Sequence, residues 1–181
     1  MTKKVLMLVT DGVEEIEALM ARDVFIRSGI EVDMMGLDEK DKIISSHKLS
    51  IDVLPLNLND LNYDALIIPG GKTGTNNIDN FAHIDELIKH FYQNDKLIAA
   101  ICAAPSILGK RGYLKNHSYT CYPGWEKEEY GQYTGKGVER SGRFITGKSM
   151  YYTADFALEI VGYLLGEEQK VKIHNQIKGI K

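Results

Sequence analysis

Apolar positions along the chain fall into two kinds of pattern. Short continuous runs at Val5-Leu6-Met7-Leu8-Val9, Ala65-Leu66-Ile67-Ile68 and Leu97-Ile98-Ala99-Ala100-Ile101 have the length and branching of strands buried on both faces of a parallel sheet, and Ile30 to Leu37, centred on Glu31 to Met35, gives another strand. Longer amphipathic stretches lie between them. The first predicts a helix from about Val13 to Ser28, stopped by Gly29, with the Thr10-Asp11-Gly12 turn supplying its capping residue. The second, Phe81 to Asn94, carries Ile84, Leu87, Ile88 and Phe91 on one face, and a last helix spans Ala154 to Leu165, capped by Thr153 or Tyr152 and ended by Gly166. Shorter signals complete the outline. Asp38 to Lys42 is a charged turn, Ile43-Ile44 and Leu49 to Leu54 form a pair of short strands before Pro55, and Asn57 to Asn62 is a polar linker. Ser118 to Tyr122 reads as a strand running into Pro123-Gly124-Trp125, and Gly137 to Thr146 as a hairpin closed at Ser141-Gly142. Strands alternating with helices predict an α/β fold with a mostly parallel central sheet covered on both faces. Right-handed crossovers bring the strand ends to one edge, where such folds bind ligands.

The most informative stretch is Lys96 to Leu108, where the period changes at a residue capable of chemistry. Strand-like Leu97 to Ile101 gives way to Cys102, and Pro105 can open a helix there without losing a hydrogen bond, continuing through Ser106-Ile107-Leu108 toward Gly109. A thiol at the N-terminal end of a helix meets unpaired N–H groups and the positive end of the macrodipole, which lower its pKa. Alternatively, Cys102 is a small buried hydrophobe in the core strand. The spacing leaves both open.

Glu14, Glu15 and Glu17 occupy the first turns of the first helix. Dipole compensation explains Glu14 and Glu15. Glu17 differs, because its helical neighbours Val13, Met20, Ala21 and Val24 are all apolar and direct its carboxyl inward. Desolvation there would raise its pKa and makes it a candidate site residue. Pro69-Gly70-Gly71-Lys72-Thr73-Gly74 follows directly on a buried strand, and its glycines can bring bare N–H groups to an anion or simply make a tight turn. Neither of the glycine-rich nucleotide-binding motifs is present. The turn holding Asp11 to Glu17, the Gly70-Gly71 loop and Cys102 all follow strand ends, so they should converge.

Composition narrows the classes. A chain of 181 residues, 44% hydrophobic and 26% charged, fits one globular domain over 1–181, and a net charge of −3 offers no general attraction to nucleic acid or anionic lipid. The Lys-rich end, Lys170 to Lys181, reads as a solvated tail. No apolar run approaches the ~20 residues of a membrane span, and Met1-Thr2-Lys3-Lys4 leads only into a strand-length run, so no membrane association and a cytoplasmic location are expected. Cys102 and Cys121 form no C-x-x-C pair and cluster with none of the five histidines, so no metal site is expected. Cys121 either packs within its strand or resolves an oxidised Cys102 as a disulfide.

Taken together, Asp-Gly-Val-Glu-Glu-Ile-Glu at 11–17, Pro69-Gly70-Gly71, and Ala-Ala-Ile-Cys-Ala-Ala-Pro at 99–105 resemble the ThiJ/PfpI superfamily, in the branch of the parkinsonism-associated protein deglycase. The resemblance runs through almost the whole chain, including Phe156-Ala157-Leu158 in the last helix. It implies a homodimer of flavodoxin-like three-layer sandwiches, related in fold to class I glutamine amidotransferases. It also implies a nucleophile-elbow cysteine, Cys102, approached by the carboxyl of Glu17. The N–H groups of Gly70, Gly71 and Ala103 would form an oxyanion pocket, and no cofactor would be needed. The implied activities are conversion of a small 2-oxoaldehyde such as methylglyoxal to a hydroxyacid or, alternatively, a redox-sensor or chaperone role with Cys102 oxidised to sulfinic acid. Departures from the family pattern matter as well. Ala103 stands where the protease-like branch has histidine, which disfavours a peptidase, and no His-x-Glu pair supports an amidotransferase. Tyr122, at the substrate pocket, replaces a histidine frequent in the deglycase branch. His47 falls roughly where some relatives place an arginine near the dimer partner's pocket, so anion binding there should be weaker or pH-dependent.

Overall fold

The computed structural model describes residues 2–37 and 39–180; Asp38 of the charged turn and Lys181 lie outside them. The chain runs β1 (Lys4–Val9), α1 (Glu15–Ser28), β2 (Glu31–Gly36), β3 (Lys42–Ile44), β4 (Ser50–Asp52), β5 (Leu54–Pro55), β6 (Ala65–Ile68), α2 (Lys72–Asp79), α3 (Ile84–Gln93) and β7 (Leu97–Ile101). It continues through α4 (Pro105–Lys110), β8 (Ser118–Tyr119), β9 (Gln132–Tyr133), β10 (Val138–Ser141), β11 (Phe144–Gly147), α5 (Thr153–Leu165) and α6 (Glu167–Lys178). Seven strands form the central sheet in the order β10-β11-β7-β6-β1-β2-β5. All pairs are parallel except β10 with β11.

The apolar runs end up buried on both faces because each face is covered by helices. Val5, Met7 and Val9 pack with residues of α1, α5 and α6, whereas Leu6 and Leu8 pack with α2, α3 and α4. Successive side chains of β1 thus enter opposite cores, as the period of two requires. From β1 the sheet grows one way through β2 and the other way through β6 and β7, so the carboxyl ends of β1, β6 and β7 lie side by side at the place where the order reverses.

Several boundaries differ from the sequence expectation for local physical reasons. Helix α1 begins at Glu15 and is capped by Glu14, not by the preceding turn, because Gly12 and Val13 are held by Ile44 O and Thr10 O. Helix α2 is additional. Its Gly, Thr and Asn content is poor for a helix, but Gly74 lies directly against Val13 and donates to Gly12 O, and Ile78 is buried in the core. Gly109 lies inside α4, and the hairpin register pairs Ser141 with Phe144, which leaves Gly142-Arg143 as its two-residue turn. The strand expected over Ser118 to Tyr122 pairs only at Ser118–Tyr119. The supposed tail from Lys170 is mostly α6, anchored by buried Ile173 and by Lys170 to Glu159 at 2.6 Å. Among the described residues, no helix is long and apolar enough to cross a membrane.

Candidate active site

Strand β7 delivers Cys102 to the sheet edge in the left-handed region, with φ +65°. A non-glycine residue there costs roughly 1 kcal/mol or more and persists only when its surroundings hold it. Two hydrogen bonds do so: its N–H donates to Gly147 O at 2.9 Å, and its carbonyl accepts from the Tyr122 N–H at 2.8 Å. The sharp bend leaves the sulfur partly exposed. Of the two sequence readings, that of a sealed core residue is set aside.

Glu17 comes from the first turn of α1 with its residue only 1% exposed, and its Oε2 accepts the Gly70 N–H at 2.8 Å. Val13, Ala21 and Val24 around it are buried, whereas Met20 lies outward. Its other oxygen, Oε1, is buried without a hydrogen bond of full geometry, and the polar group that faces the carboxyl is the Cys102 thiol. Burial pushes Glu17 up to about 7, against the lowering effects of the thiol and the Gly70 N–H and with a small upward contribution from the charge of Glu14.

The glycine loop fits between these groups. A Cβ on Gly70 would lie 2.6 Å from both Cys102 Cβ and Glu17 Oε2, so only glycine can stand there. Gly71, at φ +91°, turns the chain into α2. The N–H groups of Gly71 and Ala103 are directed at the sulfur. The sequence expectation for Gly70 is corrected here, since its N–H is committed to Glu17 and cannot serve an oxyanion.

A second correction concerns ionisation. Helix α4 starts only at Pro105, and of the N–H groups at its start the one from Ala103 reaches the sulfur. Burial and the negative charge of Glu17 outweigh it and the Gly71 N–H, and push the Cys102 thiol up to about 12 instead of down. The thiolate is disfavoured while Glu17 is ionised. Protonation of Glu17 removes that repulsion and supplies a donor, so the ionisation of each group depends on the state of the other.

The remaining candidates lie around this pair. Tyr122 is 48% exposed and touches Cys102 through its backbone N–H. His47, on the turn between β3 and β4, has a side chain 75% exposed, with Nδ1 2.8 Å from Glu15 Oε1. Although burial raises it, hydrogen bonds from its own N–H, Ser46, Ser45 and His47 hold the Glu15 carboxyl at about 2. Glu14, Glu15 and His47 each place one side-chain oxygen or nitrogen within 4.8 Å of the others. The signal was visible in the sequence only as an acidic helix start and a distant histidine, which the hairpin brings together. Cys121 is fully buried in the core beneath α2, α3 and α4, whereas Cys102 packs against the core on the other side of the sheet.

A mostly parallel α/β sheet with a strained cysteine at the corner after one strand, facing a buried acid and a Gly-Gly turn, defines a class of cysteine-elbow proteins. The sequence pattern of the DJ-1/PfpI family matches residues 3–162, and the chain belongs to that family. It is 31% identical over 185 residues to Protein dj-1beta of Drosophila melanogaster, covering 99% of this chain and 97% of the relative. It is 32% identical over 167 residues to a Caenorhabditis elegans protein named glutathione-independent glyoxalase DJR-1.2, covering 91% and 89%. The fold superposes on the crystal structure of Drosophila DJ-1beta with a TM-score of 0.91 over 100% of both chains at 29% identity. For Toxoplasma gondii DJ-1 in an oxidised form the TM-score is 0.90 at 28% identity, covering 97% and 98%.

Proposed function

We propose that this protein converts small 2-oxoaldehydes, methylglyoxal being the simplest test substrate, to hydroxyacids without a cofactor. One observation carries the reading: the buried Glu17 carboxyl, with one oxygen held by Gly70 and the other unpaired, faces the partly exposed Cys102 sulfur. The thiol gives its proton to the Glu17 carboxylate as the sulfur adds to the aldehyde carbon, forming the C–S bond, and Glu17 passes that proton to the carbonyl oxygen. In this reading the N–H groups of Gly71 and Ala103, which point at the sulfur, would meet charge on that oxygen. Glu17, now a carboxylate, removes the proton from the former aldehyde carbon and returns it to the neighbouring carbon while the hydroxyl proton passes to the former ketone oxygen, which turns the hemithioacetal into a thioester of the hydroxyacid. Water then cleaves the C–S bond, and the thiol regains a proton. The name of the Caenorhabditis elegans relative supports this reading. We place the reaction in a cytoplasmic homodimer.

The test is consumption of methylglyoxal by the purified protein, followed together with formation of lactate. Cys102→Ser should abolish turnover and Glu17→Gln should reduce it by ~100-fold or more; unchanged consumption by the Cys102 variant would overturn the reading. The unpaired Glu17 Oε1 also favours a second reading, as a sensor of peroxide. Peroxide would transfer oxygen to the sulfur, leaving as water, and a second peroxide would give a sulfinate able to accept a hydrogen bond from protonated Glu17. The oxidised form of the Toxoplasma gondii relative is in keeping with it. A gain of two oxygens localised to Cys102 by mass spectrometry, without methylglyoxal turnover, would favour this second reading.

A further inference from the structure

Helix N-caps are normally Ser, Thr, Asp or Asn, whose short side chains reach the free N–H groups of the first turn. Helix α1 uses a glutamate instead. Glu14 sits at its N-cap with extended backbone, φ −77° and ψ 113°, and its Oε2 accepts the Glu17 N–H at 2.9 Å. Its own N–H donates to Gly70 O at 3.0 Å, and the Gly70 N–H returns to Glu17 Oε2 at 2.8 Å. Three hydrogen bonds therefore close a ring through Glu14, Gly70 and Glu17. The cap binds the backbone of the residue whose side chain binds the glycine loop.

We infer that Glu14 is a positioning residue for the reacting pair: through this ring it holds Glu17 and the Gly70 loop in the register from which the Glu17 carboxyl faces the Cys102 sulfur. The inference rests on reading Cys102 and Glu17 as that pair. A short capping residue could satisfy the helix, but its charge would sit elsewhere. The ionisable groups acting on Glu17 are Glu14 on its own helix and Cys102 at the end of β7, while the loop after β6 presents the uncharged Gly70 N–H. Glu14 contributes a like charge beside Glu17, which favours the proton-bearing form of its neighbour. One side chain supplies both a bond and a charge, and two variants separate them. Glu14→Gln keeps an amide oxygen that can accept the Glu17 N–H and removes the charge. Glu14→Ala removes both.

The experiment uses the full-length protein carrying 13C-carboxyl glutamate, with amide hydrogen exchange followed in parallel. In Glu14→Gln the Glu17 titration midpoint should fall relative to wild type while its amide stays protected. In Glu14→Ala protection of the Glu17 amide should also be lost, and kcat for methylglyoxal should fall more than KM rises. An unchanged midpoint in Glu14→Gln, or a Glu17 amide equally protected in Glu14→Ala, would overturn the inference. The midpoint and the amide exchange do not depend on turnover. A wild-type protein without activity would count against the proposed reaction and leave the role of Glu14 to be decided by the midpoint and the exchange.

Discussion

Glu17 places an acid where the protein would more cheaply hold an apolar side chain, and the cost appears in the dependence of stability on pH. In the unfolded chain the carboxyl titrates at its ordinary 4.5, and in the folded protein at about 7. The folded state binds the proton more tightly, so this contribution to stability is full below 4.5 and is lost as pH rises through 7, amounting to about 3 kcal/mol. Glu15 works in the opposite sense: held at about 2, its contribution is present above 4.5 and disappears in acid. Urea unfolding of Glu17→Gln between pH 5 and pH 8 is therefore expected to lack the decline seen in wild type, and the variant should be the more stable protein at pH 8. The inward direction of Glu17 was legible in the sequence because it follows from helical spacing alone. The ionisation of Cys102 was not. It depends on the acid that approaches from another element and on how much water the fold removes, and neither quantity is local to the chain around residue 102.

Elements with strong periodicity were the legible ones: β1, β6, β7, α1, α3 and α5 all lie within a few residues of their sequence signals. Helix α2 escaped because its residues carry almost no helical preference and its formation depends on Gly74 seating against Val13. Helix α6 was hidden by its charge. Its lysines and glutamates read as a solvated segment, although Ile173, Gln169 and Lys170 tie it to the helices beneath through burial, the carbonyl of Ser28 and Glu159. If α6 is an integral part of the layer, Ile173→Ala should lower unfolding free energy by about 2–4 kcal/mol in a urea titration. A detached tail would show no change. The hairpin of β3 and β4 has a comparable role nearer the site, since its Ser46 and His47 fasten Glu15 and the Ser46 N–H donates to Val13 O at 2.8 Å. No pairing signal in the sequence linked residues 46 and 47 to the start of α1.

At the scale of the molecule, the reversal of strand order between β2 and β6 about β1 is what gathers Glu17, the glycine loop and Cys102 into one place. The three sequence motifs are spread over some ninety residues, and alternation of strands and helices was sufficient to predict that they meet. Large apolar side chains remain exposed at Ile16 and Met20 on α1 and at Ile44, Leu49 and Leu54 on the β3 to β5 segment. A second copy covering them is the expected outcome, and sedimentation equilibrium should give twice the chain mass. The sheet has one more effect, on its two thiols. Cys121 is sealed inside one core while Cys102, partly exposed, packs against the other, so a reagent at the surface meets the second thiol only after unfolding. A bulky maleimide should therefore count a single sulfhydryl in the native protein and two in urea, and gentle oxidation should leave no internal cross-link to alter migration on a non-reducing gel.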